Sequence, residues 1–433
     1  SMDGLRECLA EEFSSIYVFN LRGDIRKNML SKGKAQEGQN VFGSGSMSGI
    51  VITIFVKNPN ADEQGKIYYH DIGNDLKQDE KLELLNSLKS IEGISTTNGW
   101  QLITPDSHND WLKQRDNSFS EFISLGDKKD KDAITIFENY SLGLNSNRDT
   151  WVYNFSQNGL LRNMQSTINF YNSELIRFIN ESAIKNISDP EDFVKSDETK
   201  IKWSSSLKAN FLRHKKAFLT ESSIIHSMYR PFVKEWLYFD TMFNHRTGQM
   251  PSIFPYPLVD NIIILINGKG SRNGVSVFIS NRIVDLNMLE AGAQCFPLKL
   301  YSTKNDTPEQ PSQNDLFVQN SDVTMAQPSK HYTVKSGITD AGLKHFTNYY
   351  TDQSITKEDV FYYIYGLLHS EDYKTKYADN LSKELPRIPC VKQTADFWAF
   401  SKAGRTLAEL HINYETVKPY PVTIDVAIDT LSN

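Results

Sequence analysis

The sequence predicts a mixed α+β protein of more than one domain, and three observations carry that prediction. Short β-branched runs such as IVITIFV (Ile50–Val56) stand beside long stretches with a 3.6-residue apolar period. The 433 residues exceed one ordinary domain, at roughly 100–200 residues each. Apolar side chains make up 39% and include 24 Phe, 20 Tyr and 6 Trp, enough to fill a large core and to exclude a mainly disordered chain.

The elements follow in order. Leu5, Cys8, Leu9 and Phe13 share one helical face. Ser15–Asn20 (SIYVFN) is a short buried strand, and a loop bearing glycine and lysine runs from Leu21 to Gly49. Ile50–Val56 has the continuous apolar character of a strand buried on both faces, with Ile67–His70 as its hairpin partner. Leu82, Leu85, Leu88 and Ile91 mark one amphipathic helix. After the charged turn Gly126–Asp132, ITIF (Ile134–Phe137) and WVYNF (Trp151–Phe155) read as strands. Between them lies the loop NYSLGLNSNRD, in which Arg148 and Asp149 read as an ion pair. A long helix spans about Asn158–Ser182. The middle is β-rich, with strands over Ser222–Met228, Trp236–Phe239, Asn261–Ile266 and Gly274–Ile279. The last two flank a turn, Asn267–Gly274. Ser302–Lys330 is polar and proline-bearing, the signature of a loop or linker. The last hundred residues are helical, with an N-cap at Thr356 and a final helix from about Asp396 to His411.

Several function classes drop out. No stretch approaches the roughly 18 apolar residues of a membrane helix. Ser1-Met2-Asp3 opens without a basic start or an apolar core, so no signal peptide is expected; Ser1 before Met2 suggests a piece of a longer protein. Cys8, Cys295 and Cys390 are scattered and no CxxC pair occurs, which predicts packing cysteines in a reducing, cytoplasmic setting. Phe42–Gly49 is glycine-rich but precedes a strand, the wrong order for a phosphate loop. No HExxH, GxSxG or metal-ligand spacing is present, so no metal is expected.

Charge is more informative in its distribution than in its sum. The formal net charge is -6. His70–Glu138 holds 14 acidic against 8 basic residues, whereas Ile201–Arg230 carries six Lys and Arg against Glu221 alone. A phosphate responds to charge within a Debye length of about 8–10 Å, so local basic clusters suit a nucleic-acid groove. Arg and Lys hold phosphates; Asn and Arg read base edges.

Seven strings resemble the C-terminal half of type ISP restriction–modification enzymes and related N6-adenine DNA methyltransferases with helicase partners. They are LRECLAEEFSSIYVFNLRGD (Leu5–Asp24), EGQNVFGSGSMSGIVITIFVKNP (Glu37–Pro59), IFENYSLGLNSNRDTWVYNF (Ile136–Phe155), YRPFVKEWLYFD (Tyr229–Asp240), QCFPLKLY (Gln294–Tyr301), FYYIYGLLHSEDYKTKYADNLSKELPRIP (Phe361–Pro389) and AGRTLAELHINYE (Ala403–Glu415). Arg26–Lys34 departs from the family's Arg-Thr-Ser-Gly-Glu wording. The family's cofactor-binding glycine motif and its Asn-Pro-Pro-Tyr/Phe motif do not occur here.

The resemblance implies a truncated methyltransferase sheet over residues 1–70 and an acidic connecting segment over 71–132. It implies a mixed, β-rich target-recognition domain over 133–335 and a helical C-terminal region over 336–433. It implies double-stranded DNA as partner, together with upstream methyltransferase and helicase domains, and no membrane. S-adenosylmethionine and ATP with magnesium are expected of the parent enzyme and no cofactor of this piece. The candidate DNA contacts are Arg22, Lys32, Lys34, Arg213, Lys215, Lys216, Asn244, His245, Arg246, Lys269 and Arg272. Asn20 and Arg22 fit a structural hydrogen-bonded loop equally well. Phe42 is a candidate to stack on a flipped adenine, or else packs under the sheet. Two other functions fit the same residues: a scaffold docking helicase against methyltransferase without reading bases, and an intact DNA methyltransferase. The missing motifs count against the second.

Overall fold

In a computed structural model of the chain, which describes residues 2–26, 36–43, 46–182, 190, 193–271, 274–303 and 332–422, two units separate. One comprises Ser1–Phe119, Arg272–Gly274 and Tyr377–Lys383; the other comprises Ser120–Ser271, Val275–Lys376 and Glu384–Asn433. Helices and small sheets alternate in both, so the class is mixed α+β.

The first unit is one sheet between helical layers. Helix α1 (Met2–Glu12) leads into β1 (Ser15–Arg22); β2 (Ile50–Val56), β3 (Lys66–Asp71), helices α2 (Gln78–Leu88) and α3 (Ile91–Thr96), and β4 (Gln101–Ile103) follow. The order is β2-β1-β3-β4, with β1 antiparallel to β2 and parallel to β3. Side chains alternate across a pleated strand. Ile16 accordingly joins Ile67, Ile103, Leu9 and Phe13 on one face, while Phe19 and Leu21 join Leu84, Leu85, Leu88 and Ile94 on the other.

Three expectations fail here, each for a physical reason. Ile50–Val56 is not buried on both faces: β2 is an edge strand, and Val51, Ile52, Ile54, Phe55 and Val56 are all exposed. Its apolar run has no described strand on its outer side. Ile67–His70 is not its hairpin partner either. Gly65 N–H donates to the Phe13 carbonyl at 2.9 Å and Lys66 N–H to Ser14 at 3.1 Å, which starts β3 alongside β1 instead. A Cβ on Gly65, at φ +73°, would lie 2.8 Å from the Ala10 carbonyl oxygen, so glycine is needed at this crossing. The single helix expected over Leu82–Ile91 is two, because Lys89 adopts φ 57° and Ser90 caps α3, its Oγ accepting from Glu92 N–H at 3.2 Å.

The second unit holds the larger core. Its principal elements are β5 (Ser141–Leu142), α4 (Asp149–Val152), β6 (Tyr153–Asn154), α5 (Gln157–Ser182), α6 (Ser205–Leu212), β7 (Ile224–Arg230), β8 (Val233–Tyr238), β9 (Ile263–Ile266), β10 (Val277–Ser280), β11 (Gln294–Pro297), β12 (Lys299–Thr303), β13 (Tyr332–Ser336), and helices α7 (Asp340–Tyr350), α8 (Lys357–Leu367) and α9 (Thr394–Ile412). They form sheets β10-β9-β11-β5 and β6-β8-β7 and the pair β12-β13. Buried residues of α5 (Leu160, Met164, Ile168, Tyr171, Leu175, Phe178) share one core cluster with Leu237, Ile263, Leu265 and Cys295. The hairpin around Asn267–Gly274 forms, with Ile266 opposite Val277. ITIF makes only isolated bridges at Thr135 and Phe137, and WVYNF divides between α4 and β6. Most of Ser302–Lys330 lies outside the described residues.

The helical end is tightly crossed. Thr356 and Asp359 complete a capping box at the start of α8. A Cβ on Gly404 would sit 2.0 Å from the Tyr362 carbonyl oxygen, and one on Gly366 would sit 2.4 Å from that of Phe400. Glycine at these two positions lets α8 and α9 touch backbone to backbone. No helix among the described residues is long and apolar enough to cross a membrane.

Candidate nucleic-acid interface

The basic segment of the second unit is a loop held from behind. Helix α6 ends at Leu212, and Arg213, His214, Lys215 and Lys216 that follow are all exposed. Tyr171 Oη donates to the Lys215 carbonyl at 2.9 Å, and Asn172 exchanges two hydrogen bonds with Ala217 at 2.8 and 2.9 Å. Helix α5 thus fixes the loop's backbone while its cations face solvent. Lys216 Nζ lies 5.5 Å from the ring of Phe218, which is 69% exposed. An exposed aromatic beside lysines is a combination that serves both phosphate and base contact.

The other end of α6 meets the second candidate loop. His245 Nδ1 lies 3.0 Å from Ser206 Oγ. Burial, then the nearby Arg246 and Arg148, push the imidazole below its ordinary value. The eight residues of α6 span about 12 Å, which sets the spacing between the two loops. Arg246 is exposed, and its backbone exchanges hydrogen bonds with Asn145 at 2.9 and 3.0 Å. Asn244 is turned inward: it is 1% exposed, and its Nδ2 donates to the carbonyls of Tyr238 and Asp240 at 2.9 and 2.8 Å. Lys269 is exposed in the β9–β10 turn. Arg272, Lys32 and Lys34 lie outside the described residues.

In the first unit, Arg22 is engaged within its own loop. Its Nε donates to Asp71 Oδ1 at 2.7 Å, and Nη1 donates to the Gln36 carbonyl at 3.0 Å and to Asn74. Asn20 Nδ2 donates to Asp71 Oδ2 at 3.1 Å and to the Tyr69 hydroxyl at 3.0 Å. Burial pushes the Asp71 carboxyl up, but Arg22, the Gly73 N–H and the Tyr69 hydroxyl outweigh it and hold the group below the ordinary range. Phe42 does not pack under the sheet; it is 74% exposed.

The sequence reading missed one component, the frame around Arg148. Arg148 is 2% exposed and is not paired with Asp149. Its Nε donates to the Lys202 carbonyl at 3.2 Å, Nη2 to Ser204 Oγ at 2.5 Å and Nη1 to the Phe243 carbonyl. Burial brings its pKa down to about 10, so it stays charged at neutral pH. Asp149 instead accepts from Ser146 Oγ and, at 3.3 Å, from Tyr229 Oη. A single guanidinium therefore ties together three segments: the 145–149 loop, the cap of α6 and the turn before Arg246. On the far side of the same loop, Leu144 exchanges backbone bonds of 2.8 Å with Val284 and Leu286. Between the loop and the Asp285–Asn287 turn lies a polar cleft of about 330 Å³, lined by Asn145, Asn147, Thr150, Lys202 and Asn287 among others. The string NSNRD carries the signal for the turn: Asn145 Oδ1 accepts from Asn147 N–H at 3.1 Å, and Asn147 sits at φ 55°. Nothing in the sequence links this turn to Asn287.

Among the described residues no group of three or more His, Cys, Asp or Glu side chains is placed to hold a metal ion. The sequence model of the Type ISP C-terminal specificity domain matches residues 135–433. Three solved structures are similar over nearly the whole chain. The first is a nuclease-deletion mutant of the Type ISP restriction-modification enzyme LlaGI in complex with a DNA substrate mimic, at 33% identity and a TM-score of 0.73, covering 97% of this chain and 34% of that one. The ATP-dependent Type ISP enzyme LlaBIII bound to DNA gives 34%, 0.73, 98% and 25% in the same order. The DrdV–DNA complex gives 30%, 0.72, 97% and 37%. This chain thus spans from 25% to 37% of the length of these relatives. No curated protein matches it.

Proposed function

Because the chain belongs to the Type ISP C-terminal specificity domain family over residues 135–433, we propose that it recognises a DNA target within a restriction–modification enzyme. The finer reading is that the parent methylates adenine at N6. In it, residues 1–70 end the methyltransferase sheet, residues 133–335 read the duplex and residues 336–433 brace the reader. Helicase and methyltransferase domains of the parent are the protein partners. The observation that carries this reading is the pair of exposed loops at the two ends of α6, one cationic and one bearing Arg246 on a rigid backbone bridge.

The chemistry is recognition, not bond making. Arg213, Lys215 and Lys216 neutralise phosphates and set register, aided by Lys269 at the β9–β10 turn. Arg246 offers a fork that suits the O6 and N7 acceptors of guanine in the major groove. His245 holds the Arg246 loop against α6. Asn244 braces that loop from within. Arg22 organises the first unit's loop, from which Phe42 projects far enough to stack on an extruded base. The methyl donor and ATP belong to the parent in this reading. The glycine and Asn-Pro-Pro motifs do not occur in the sequence, so the residues present do not fit the methyl donor.

Titration of duplex DNA across a salt series tests the reading. Replacing Lys215 and Lys216 with Ala is expected to weaken binding to all duplexes alike. It should also flatten the slope of log K against log salt by about 0.9 per lost contact. Arg246→Ala is expected to cost about 1–3 kcal/mol on the preferred sequence and little on others. An unchanged salt slope with an intact fold removes the two lysines from the interface.

A further inference from the structure

We propose that the polar cleft between the 145–149 loop and the Asp285–Asn287 turn is a base-reading subsite, with Asn147 and Asn287 as its specificity residues and Lys202 as its phosphate anchor. The inference rests on the DNA-recognition reading and adds a location and residues to it.

The geometry favours a site built for contact over a gap left by loops. The cleft's floor is fixed: Arg148 holds the carbonyls of Lys202 and Phe243, and Leu144 bonds on both sides of Asp285. Asp285 is 1% exposed, and its Oδ1 is taken by Arg230 at 2.6 Å and by the Asn287 N–H at 2.8 Å. The rim is different. Asn147, Lys202 and Asn287 are exposed, and no side-chain hydrogen bond of theirs occurs among the described residues. The turn backbones leave their side-chain groups to solvent. For Asn147 the turn is closed by its own N–H on Asn145 Oδ1, not by its amide. For Asn287 it is the backbone N–H that Asp285 accepts. A free carboxamide on a fixed turn offers one donor and one acceptor in a plane, the pattern that pairs with the N6 and N7 edge of adenine.

The cleft also lies beside the proposed reader. Arg246 is bridged to Asn145 through two backbone hydrogen bonds, so the guanidinium fork and the carboxamides stem from adjacent, hydrogen-bonded backbone. Binding at such a site orders the exposed side chains but not the backbone that carries them, which limits the conformational cost.

The test uses the whole chain and a pool of randomised duplexes. Asn147→Gly keeps the positive φ comfortable and removes the side chain with its carboxamide; Asn287→Ala leaves the backbone bond to Asp285 in place. Bound duplexes are sequenced for the wild type and for each variant, and affinity for the unselected pool is measured alongside. The wild type is expected to enrich a defined sequence. Each asparagine variant should lose preference at one position of it, by about tenfold, with affinity for the unselected pool unchanged. Lys202→Ala should lower affinity for every duplex and leave the enriched sequence alone. Enrichment of the wild-type sequence by both asparagine variants overturns the subsite while sparing DNA recognition itself. Failure of the wild type to bind any duplex overturns the recognition reading and the subsite with it.

Discussion

Two apolar, β-branched runs look alike in the sequence and end in opposite places. IVITIFV becomes β2, an edge strand whose residues are exposed over six of seven positions. IILI becomes β9, buried at all four positions between β10 and β11. Composition made both of them strands; neighbours decided burial. β9 has a strand on each side and the core of α5 behind it, whereas β2 has only β1. A strand's composition states what it can tolerate, and its partners state what it receives.

Paired substitutions, one in each unit, break or sharpen that contrast. The largest difference is expected in the strands themselves. Leu265→Ala in β9 removes a fully buried side chain and should cost about 2–5 kcal/mol. Ile54→Ala in β2, at 41% exposure, should cost under about 1 kcal/mol. Denaturant melts of the two variants check this, and equal losses would mean that β2 is covered in solution. Glycines come next. Gly404→Ala drives a methyl into the Tyr362 carbonyl and should cost about 3 kcal/mol or more, because α8 and α9 must part. Gly65→Ala strains a left-handed backbone at φ +73° and meets the Ala10 carbonyl at the longer distance of 2.8 Å, so it should cost less, about 1–2 kcal/mol. Thermal midpoints in the reverse order would contradict the packing described for α8 and α9.

The smallest effects concern two carboxylates, and they differ in sign. Asp71 has its folded pKa below its unfolded value of about 3.9. Its contribution is complete above that value and disappears as pH falls through the folded pKa. Asp71→Asn should therefore lower the thermal midpoint at neutral pH and flatten the acid limb of the stability curve. Glu235 is 8% exposed, and burial raises its pKa against the pull of Arg230, with Asp149 and Asp285 adding to the rise. Its folded pKa exceeds the unfolded value of about 4.3, so its contribution is present below that value and lost as pH rises through the folded pKa. Glu235→Gln should raise the midpoint at neutral pH. Shifts of the same sign in both variants would refute one of the two assignments.

The contrast also shows what was legible in the sequence. The long helix α5, the capping box at Thr356 and the β9–β10 hairpin follow from local signals, and local signals are what a single chain displays. The path of β3 was hidden because it depends on Phe13 and Ser14, residues 52 positions upstream of Gly65 and Lys66. In the candidate interface, the exposed run Arg213–Lys216 was readable as charge density. The inward turn of Asn244 was not, since its partners are backbone carbonyls that carry no residue identity. Arg148 was hidden by sequence distance. Its neighbour Asp149 offered an evident charge partner, while the acceptors it uses, at Lys202, Ser204 and Phe243, are 54 to 95 residues away.

That buried guanidinium has a consequence for altering what the protein reads. All of its bonds point inward, to two carbonyls and a hydroxyl, so it stiffens the cleft without taking part in any choice of partner. Letters and page are separate here. On the proposed reading, Asn147 and Asn287 at the rim and Arg246 beside it form a small alphabet carried on segments that Arg148 holds from within. In that reading, retargeting is a matter of surface substitutions at Asn287 and Arg246, with Asn147 restricted to residues that accept its φ of 55°, and a library confined to those three positions is the place to begin.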